Sequence, residues 1–280
     1  MPLLNGEKHL EEQLAALASQ TYAGEWELVV ADNGCTDRSL EIIRGWSDRL
    51  HVVRVADARG RRGINHARNV GAHAARGDFL AFCDADDVAV PGWLDALVGA
   101  SSGGDIVGGP LDLSTLNDER SSSWRPTDRV EDLPDEHGFL PYAPGGNCGM
   151  WASVARDVQW NEDFHFGSSD IDFSWRAQLR SYRLCLAPGA VMQLRFRSRL
   201  RELAHQYYRY GRSGPQLYRK FRSLGMPRAR RSETLEAWRS LLVRPRQLLR
   251  SHRRRGSWVR IAAFRLGRLV GSLRFGVVFL

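Results

Sequence analysis

The sequence predicts an α/β protein, a mostly parallel sheet flanked by helices, with a basic helical C-terminal extension. Three observations predict it. Short β-rich runs alternate with apolar positions at helical spacing through the first half of the chain. Two of those runs end directly in acidic turns, DNGCTD at 32–37 and DADD at 84–87. The charge also divides along the chain. Residues 1–194 carry 17 Lys and Arg against 29 Asp and Glu, net −12, whereas residues 195–280 carry 23 against 3, net +20. That asymmetry marks two regions with different partners.

The elements follow in order. Asn5 is placed to cap a first helix, whose Leu10, Leu14 and Leu17 fall at helical spacing. WELVVA (26–31) reads as a strand ending in the first acidic turn. Thr36 or Asp37 caps the next helix, which carries Leu40, Ile42 and Ile43. HVVRV (51–55) is a third strand-type run, and the loop ARGRRG leads into a helix, INHARNVGAHAA (64–75). DFLAFC (78–83) is a strand, followed by a helix from Pro91 and a strand near DIVGG (105–109). Such alternation implies parallel strands with right-handed crossovers, and ligands on such sheets lie beyond the carboxyl ends of the strands. Asp32 and Asp84 each follow a strand, so both are expected to face one crevice.

The composition, 43% hydrophobic and 26% charged over 280 residues, is that of a folded chain rather than a disordered one. Glu7, Lys8, Glu11 and Glu12 interrupt any apolar leader, and no run reaches the ~18 apolar residues of a spanning helix. Cys35, Cys83, Cys148 and Cys185 lie far apart without metal spacing, which argues for reduced thiols and against zinc. Asp84 and Asp86, at i and i+2 after a strand, can approach one hard cation together. Mg²⁺ is typically held by one or two carboxylates plus substrate phosphates. The alternative is a solvated acidic turn that caps the helix after Pro91.

The ordered blocks settle which reading to carry forward. PLLNGEKHLEEQLAAL, ELVVADNGCTDRS, GINHARNVGAHAARGDFLAFCDADD, GGNCGMWASVARDVQWNEDF and SSDIDFSWRAQLRSYRL resemble, in order, the blocks of the family 2 glycosyltransferases. The resemblance covers roughly residues 3–215 and implies a Rossmann-like sheet of the GT-A type. It also implies an inverting transfer of sugar from a nucleoside-diphosphate sugar to a hydroxyl of a glycan or lipid-linked acceptor. Cell-envelope polysaccharide or glycolipid synthesis is the expected setting. A sugar-nucleotide-binding or scaffold protein without catalysis is the alternative.

The resemblance assigns roles by position. Asp32 would contact the nucleotide base, Arg68 would help hold the nucleotide, and Asp84 would touch the ribose or donor sugar. Asp86 would ligate a divalent cation, Mn²⁺ or Mg²⁺, and Asp87 would support that turn. Family members place an acidic pair at the start of a later helix. Here the pair reads Ser169-Asp170, so Asp170 is the expected base, with Asp172 a second candidate or a partner of Trp175 or Arg176. The alternative is that Ser168 or Ser169 caps the helix while Asp170 only favours its N-terminus. Asn147, Gln206 and Arg209 are candidate acceptor or phosphate contacts. Tyr210 stands where relatives have Trp, and Gln193 stands near the position of a His found in the family.

The domain reading is a catalytic unit over 1–195 and a basic helical tail over 196–280. Relatives open with a full apolar strand, whereas this chain opens Met1-Pro2-Leu3-Leu4. The first strand is therefore read as truncated, with the true start expected upstream. In the tail, segments 199–222, 233–250 and 257–273 read as helices. At 100° per residue, Trp258, Val259, Leu266, Leu269, Val270 and Leu273 share one arc of the last, and Arg260, Arg265 and Arg268 another. Arginines beside an apolar face suit an anionic membrane surface. The other reading is a flap neutralising the acidic unit. No nucleic-acid motif is present, so no nucleic-acid partner is expected. The expected location is cytoplasmic, peripheral at the inner face of the membrane.

Overall fold

The computed structural model describes residues 1–50, 53–125, 132–135, 137–243 and 251–280. The chain runs β1 (Pro2–Leu3), α1 (Leu10–Ala18), β2 (Leu28–Asp32), α2 (Ser39–Gly45), β3 (Val53–Asp57), α3 (Ile64–Ala74) and β4 (Phe79–Cys83). There follow β5 (Val88–Ala89), α4 (Trp93–Ala100), β6 (Ile106–Gly108), β7 (Leu111–Asp112), α5 (Glu119–Ser122) and β8 (Asn147–Trp151). Next come α6 (Ala152–Val158), α7 (Ser169–Gln178), β9 (Leu184–Leu186) and β10 (Met192–Gln193). Three helices close the chain, α8 (Leu200–Phe221), α9 (Arg231–Val243) and α10 (His252–Phe275). The beginning of the third predicted strand and the end of the middle tail helix fall on 51–52 and 244–250, outside the described residues.

The predicted α/β architecture is present, with helices on a sheet built in pieces. Strands β1, β2 and β3 are parallel, with Pro2 opposite Ala31 and Leu28 opposite Val53. A second group has the order β4-β8-β6-β9, in which β6 and β9 are parallel. Strand β8 runs against both β4 and β6. Its register places Asn147 opposite Cys83, so β8 begins where β4 ends. The reversal carries the Gly145-Gly146 turn over the acidic end of β4. A small third group, β5-β10-β7, ties the segment after β9 back to Val88 and Leu111.

The opening residues take part in the sheet. The Met1 amine donates to the Val29 carbonyl at 2.9 Å, and the Ala31 and Asn33 N–H groups donate to the Met1 and Leu3 carbonyls. A cavity of about 370 Å³ lies beside Met1 and Pro2, with Leu28 and Val29 of β2 on one wall and Phe79–Cys83 of β4 on the other. Asn5 does not cap α1, which starts at Leu10. Asn5 has φ 52° and its side-chain Oδ1 accepts from Thr36 N–H, stitching two loops instead. The prediction for α2 is closer. Asp37 Oδ1 accepts from Ser39 N–H at the helix start.

Apolar faces meet on both sides of the sheet. Leu3, Leu10, Leu14, Val30, Leu97 and Val107 fill one core, and Ile106, Met150, Trp160 and Phe173 another. A third core joins the acidic and basic regions. Trp175 of α7 packs edge-on to Phe221 of α8 at 5.2 Å, and Tyr218 stacks on Phe279 at 4.9 Å.

Helix α10 lies along α8 through small residues, not through the apolar arc seen in the sequence. A Cβ at Gly267 would meet the Tyr208 carbonyl at 2.1 Å, and one at Gly211 would meet the Phe264 carbonyl at 2.1 Å. The backbones touch there, which only glycine permits. Leu266, Leu269 and Leu273 are left exposed. Gly267→Leu is therefore expected to cost about 1–3 kcal/mol, the usual range for overpacking. Gly99→Ala in α4, where a Cβ meets nothing within 4 Å, is expected to be neutral or stabilising by up to about 1 kcal/mol. Thermal unfolding followed by circular dichroism separates the two outcomes.

Candidate active site

The site is built from three chain turns that converge on Arg68. The Asp84–Asp87 turn leaves β4, the Gly145-Gly146 turn enters β8, and α7 begins at Ser169. Arg68 rises from α3, whose helical spacing puts Ala67, Arg68 and Ala72 on the buried side. Its guanidinium is only 5% exposed and lies 4.5 Å over the Trp160 ring. Arg68 Nη2 donates to Asp84 Oδ1 at 3.2 Å. Side chains at 145 or 146 would collide with this pair. A Cβ at Gly145 would lie 2.8 Å from Arg68 Nη1, and one at Gly146 would lie 2.7 Å from Asp84 Oδ2. Glycine at both positions lets the turn approach the pair without displacing it.

Asp170 lies in the first turn of α7. Its Oδ2 accepts from the Gly145 N–H at 3.2 Å, and its Oδ1 accepts from Ile171 N–H. Loss of water around it pushes the Asp170 carboxyl above its ordinary value, although Arg68 and the Gly145 N–H pull the other way. Ser168 does not supply the side-chain cap that the alternative reading allowed it. It sits at φ 57°, and its hydroxyl pairs with Ser213 at 2.7 Å.

Asp172, two residues on, faces the opposite way. It is fully buried and ion-paired to Arg176 Nε at 2.7 Å and to Lys220 Nζ of α8. This carboxylate fastens α7 to α8 and is shut off from any acceptor.

The rest of the acidic turn is ringed by arginines. Asp86 Oδ2 accepts from Arg197 Nη1 at 3.0 Å. Asp87 is buried and its Oδ1 accepts from Arg195 N–H at 2.9 Å, so it supports the turn as expected. Burial, then repulsion from Asp84 and Asp86, pushes Asp87 well above the usual carboxylate range. Arg195 also donates to the Asp86 carbonyl and pairs with Glu12. Asp32 closes β2 and folds back on its own turn, with Oδ1 accepting from Cys35 and Gly34 N–H at 2.8 and 3.0 Å. Burial alone would raise its pKa, but those N–H groups and Arg59 hold it below the usual range.

Asp84 and Asp86 are donors of the kind a divalent cation takes. Asp84 Oδ2 and Asp86 Oδ1 accept no hydrogen bond among the described residues, and both are hard oxygen ligands. Among those residues no group of three or more His, Cys, Asp or Glu forms a complete cage. Part of the coordination would have to come from ligand phosphates.

The candidate acceptor or phosphate contacts Asn147, Gln206 and Arg209 are engaged with other parts of the fold. Asn147 is fully buried; its Oδ1 accepts from Trp93 Nε1 at 2.7 Å, and its Nδ2 donates to the Pro110 and Ala190 carbonyls. It staples β8 to its neighbours and has nothing left for an acceptor. Gln206 and Arg209 do not converge. Gln206 accepts from Arg125 Nη2 at 3.2 Å and donates to the Tyr210 hydroxyl, whereas Arg209 donates to the His165 carbonyl. Gln193 lies in β10 opposite Val88 and Asp112, while Arg197 is the residue that reaches Asp86. Arg195, Arg197 and Arg125 were not singled out from sequence. The signal was the alternation of Arg195 and Arg197, which puts both on one side of an extended chain.

Residues 1–158 match the model of the family described as Glycosyl transferase family 2, more than half of the chain. The chain belongs to that family. It is 27% identical over 198 residues to glycosyltransferase AglE of Haloferax volcanii, covering 68% of this chain and 64% of AglE. It is 35% identical over 104 residues to a validoxylamine A glucosyltransferase of Streptomyces hygroscopicus subsp. limoneus, covering 37% and 23%. The chain thus spans less than two thirds of the length of these curated relatives. Among solved structures, a mannosyltransferase of Pyrobaculum calidifontis with GDP-Man and Mn²⁺ matches with TM-score 0.62 at 16% identity, covering 96% of this chain and 85% of that one. S. aureus TarS 1-349 with UDP-GlcNAc matches with TM-score 0.56 at 18% identity, covering 100% and 91%. The fold is the GT-A type.

The two acids of α7 should separate experimentally. Asp172→Asn leaves Lys220 and Arg176 facing a buried neutral group, and is expected to cost about 3–5 kcal/mol in chemical denaturation. Asp170→Asn retains an acceptor for the Gly145 N–H and should cost under about 1 kcal/mol.

Proposed function

We propose that this chain is an inverting, metal-dependent glycosyltransferase. It moves a sugar from a nucleoside-diphosphate sugar to a hydroxyl of a glycan or lipid-linked acceptor, in cell-envelope polysaccharide or glycolipid synthesis. One observation carries the reading: Asp170 and the acidic turn of β4 meet at Arg68 and the Gly145-Gly146 turn, so a base and a leaving-group site face one crevice. Family membership supports the activity, and neighbours of the same fold hold UDP-GlcNAc or GDP-Man.

The chemistry follows from the placement. Asp170 takes the proton of the acceptor hydroxyl, and its raised pKa strengthens it as a base. The freed oxygen attacks the anomeric carbon while the bond to the diphosphate breaks on the far side, so the centre inverts. Asp84 and Asp86 would hold the Mg²⁺ or Mn²⁺, whose charge stabilises the departing diphosphate. Asp32 Oδ2 is left for the base, and Arg68 holds Asp84 in place through its 3.2 Å contact.

The tail is proposed to rest on an anionic membrane surface at the inner face of the cell membrane. Helices α9 and α10 expose Leu235, Leu242, Leu266, Leu269 and Leu273, with Arg239, Arg253 and Arg254 exposed on the same elements. Among the described residues no helix is long and apolar enough to cross a membrane.

Asp170→Asn is expected to leave nucleotide binding nearly unchanged and to cut transfer by at least about 10². In the parent, transfer should fall as the pH drops through a pKa above the usual carboxylate value of about 4, because protonation removes the base. The variant should lack that limb. A screen of sugar nucleotides with steady-state kinetics checks both. Nucleotide binding without turnover of any donor would favour the binding-protein alternative. For the tail, Leu269→Glu with Leu273→Glu should abolish flotation with anionic vesicles without changing nucleotide binding.

A further inference from the structure

We propose that Arg197 is an internal counter-cation that holds Asp86 until the donor arrives, then turns to the diphosphate. The proposal rests on the reading of Asp86 as a cation ligand. Its basis is the way the acidic turn is neutralised. Asp84, Asp86 and Asp87 stand within four positions, and each has its own partner: Arg68, Arg197 and the Arg195 N–H. Two of its three carboxylates, Asp84 and Asp86, are therefore already paired with a guanidinium before any divalent ion binds, while Asp87 is held by a backbone N–H.

The two guanidiniums differ in freedom. Arg68 is buried and clamped on Trp160, so it stays where it is. The Arg197 side chain is 52% exposed and Asp86 is 31% exposed, and a single 3.0 Å contact joins them. Exposed pairs of this kind are weak. The Arg197 main chain is nonetheless fixed. Buried Arg125 donates to the Arg197 carbonyl at 3.3 Å, and Arg195, two residues before, is tied to Asp86, Asp87 and Glu12. A flexible stem on a fixed base is what an exchange of partners requires.

The exchange has a direction. A divalent ion at Asp86 displaces the guanidinium by competing for the same carboxylate and by like-charge repulsion. The anion that arrives with it is the diphosphate, and the planar fork of arginine matches phosphate oxygens. Cation and nucleotide should therefore bind together better than either binds alone.

The test uses the full chain, Mn²⁺ titrated by electron paramagnetic resonance, and UDP and GDP titrated by calorimetry. Arg197→Gln is expected to raise nucleotide-free Mn²⁺ affinity about two- to fivefold, since Asp86 is released from a weak pair. It should lower the affinity of the preferred nucleotide in the presence of Mn²⁺ by at least about tenfold. Arg197→Lys keeps the charge and should hold Mn²⁺ affinity near the parent while recovering part of the nucleotide affinity. Far-ultraviolet circular dichroism should be unchanged, because the side chain is half exposed. Unchanged Mn²⁺ and nucleotide affinities in Arg197→Gln overturn the proposal. Asp86→Asn is the control for the reading beneath it. If Asp86→Asn binds Mn²⁺ like the parent, or the parent binds neither nucleotide, the metal-dependent glycosyltransferase reading fails instead.

Discussion

A buried arginine cannot shed its proton, so the fold must bring negative charge to it. Arg68 imposes that requirement on everything around it. Its guanidinium is nearly closed off from solvent, supported on one face by Trp160, and directed at Asp84. The acidic turn after β4, the paired glycines before β8 and the first turn of α7 all approach it, and each is shaped by the approach. Glycine at 145 and 146 leaves room for the ion pair, which a methyl group would strike. Asp170 feels the same charge from the other side, which moderates the effect of its burial. One cation on one helix thus sits between Asp170 and the acidic turn after β4.

The periodicity of α7 explains how neighbouring acids acquire opposite tasks. Residues two apart on a helix point about 200° apart, so Asp170 and Asp172 cannot share a face. The one turned to the crevice meets backbone N–H and distant positive charge. The one turned inward meets Arg176 and Lys220 directly and is consumed by them. Which carboxylate is consumed by ion pairs is a question of which face it is on, and helical spacing answers it.

Much of this was legible in the sequence because it is local. The run ELVVAD and the run DFLAFCDADD fix two strand ends with acids at their tips, and both are found there. Helices over 64–74 and 200–221 follow from spacing and length. The unread parts depend on partners distant in sequence. Asn147 looks like a turn residue beside two glycines, but Trp93, Pro110 and Ala190 surround it only after folding. The arginines at 195 and 197 read as the start of a basic tail until β10 aligns with β5 and carries them over the acidic turn. The last helix was read by its leucines, yet it packs by its glycines, because backbone contact with α8 needs the absence of side chains.

The third core has a consequence in time. Trp175 and Ile171 of α7 share that core with Tyr218 and Phe221 of α8, and with Val277 and Phe279 at the end of the chain. During synthesis a chain emerges from its amino end, and early parts fold first. The strands that hold Asp32 and Asp84 are complete long before residue 277 exists. The helix that carries Asp170 waits for the final residues before its inner face is covered. A chain clipped or stalled short of that point would have the strands of Asp32 and Asp84 formed and the inner face of α7 uncovered, so the two sides of the candidate site mature at different times.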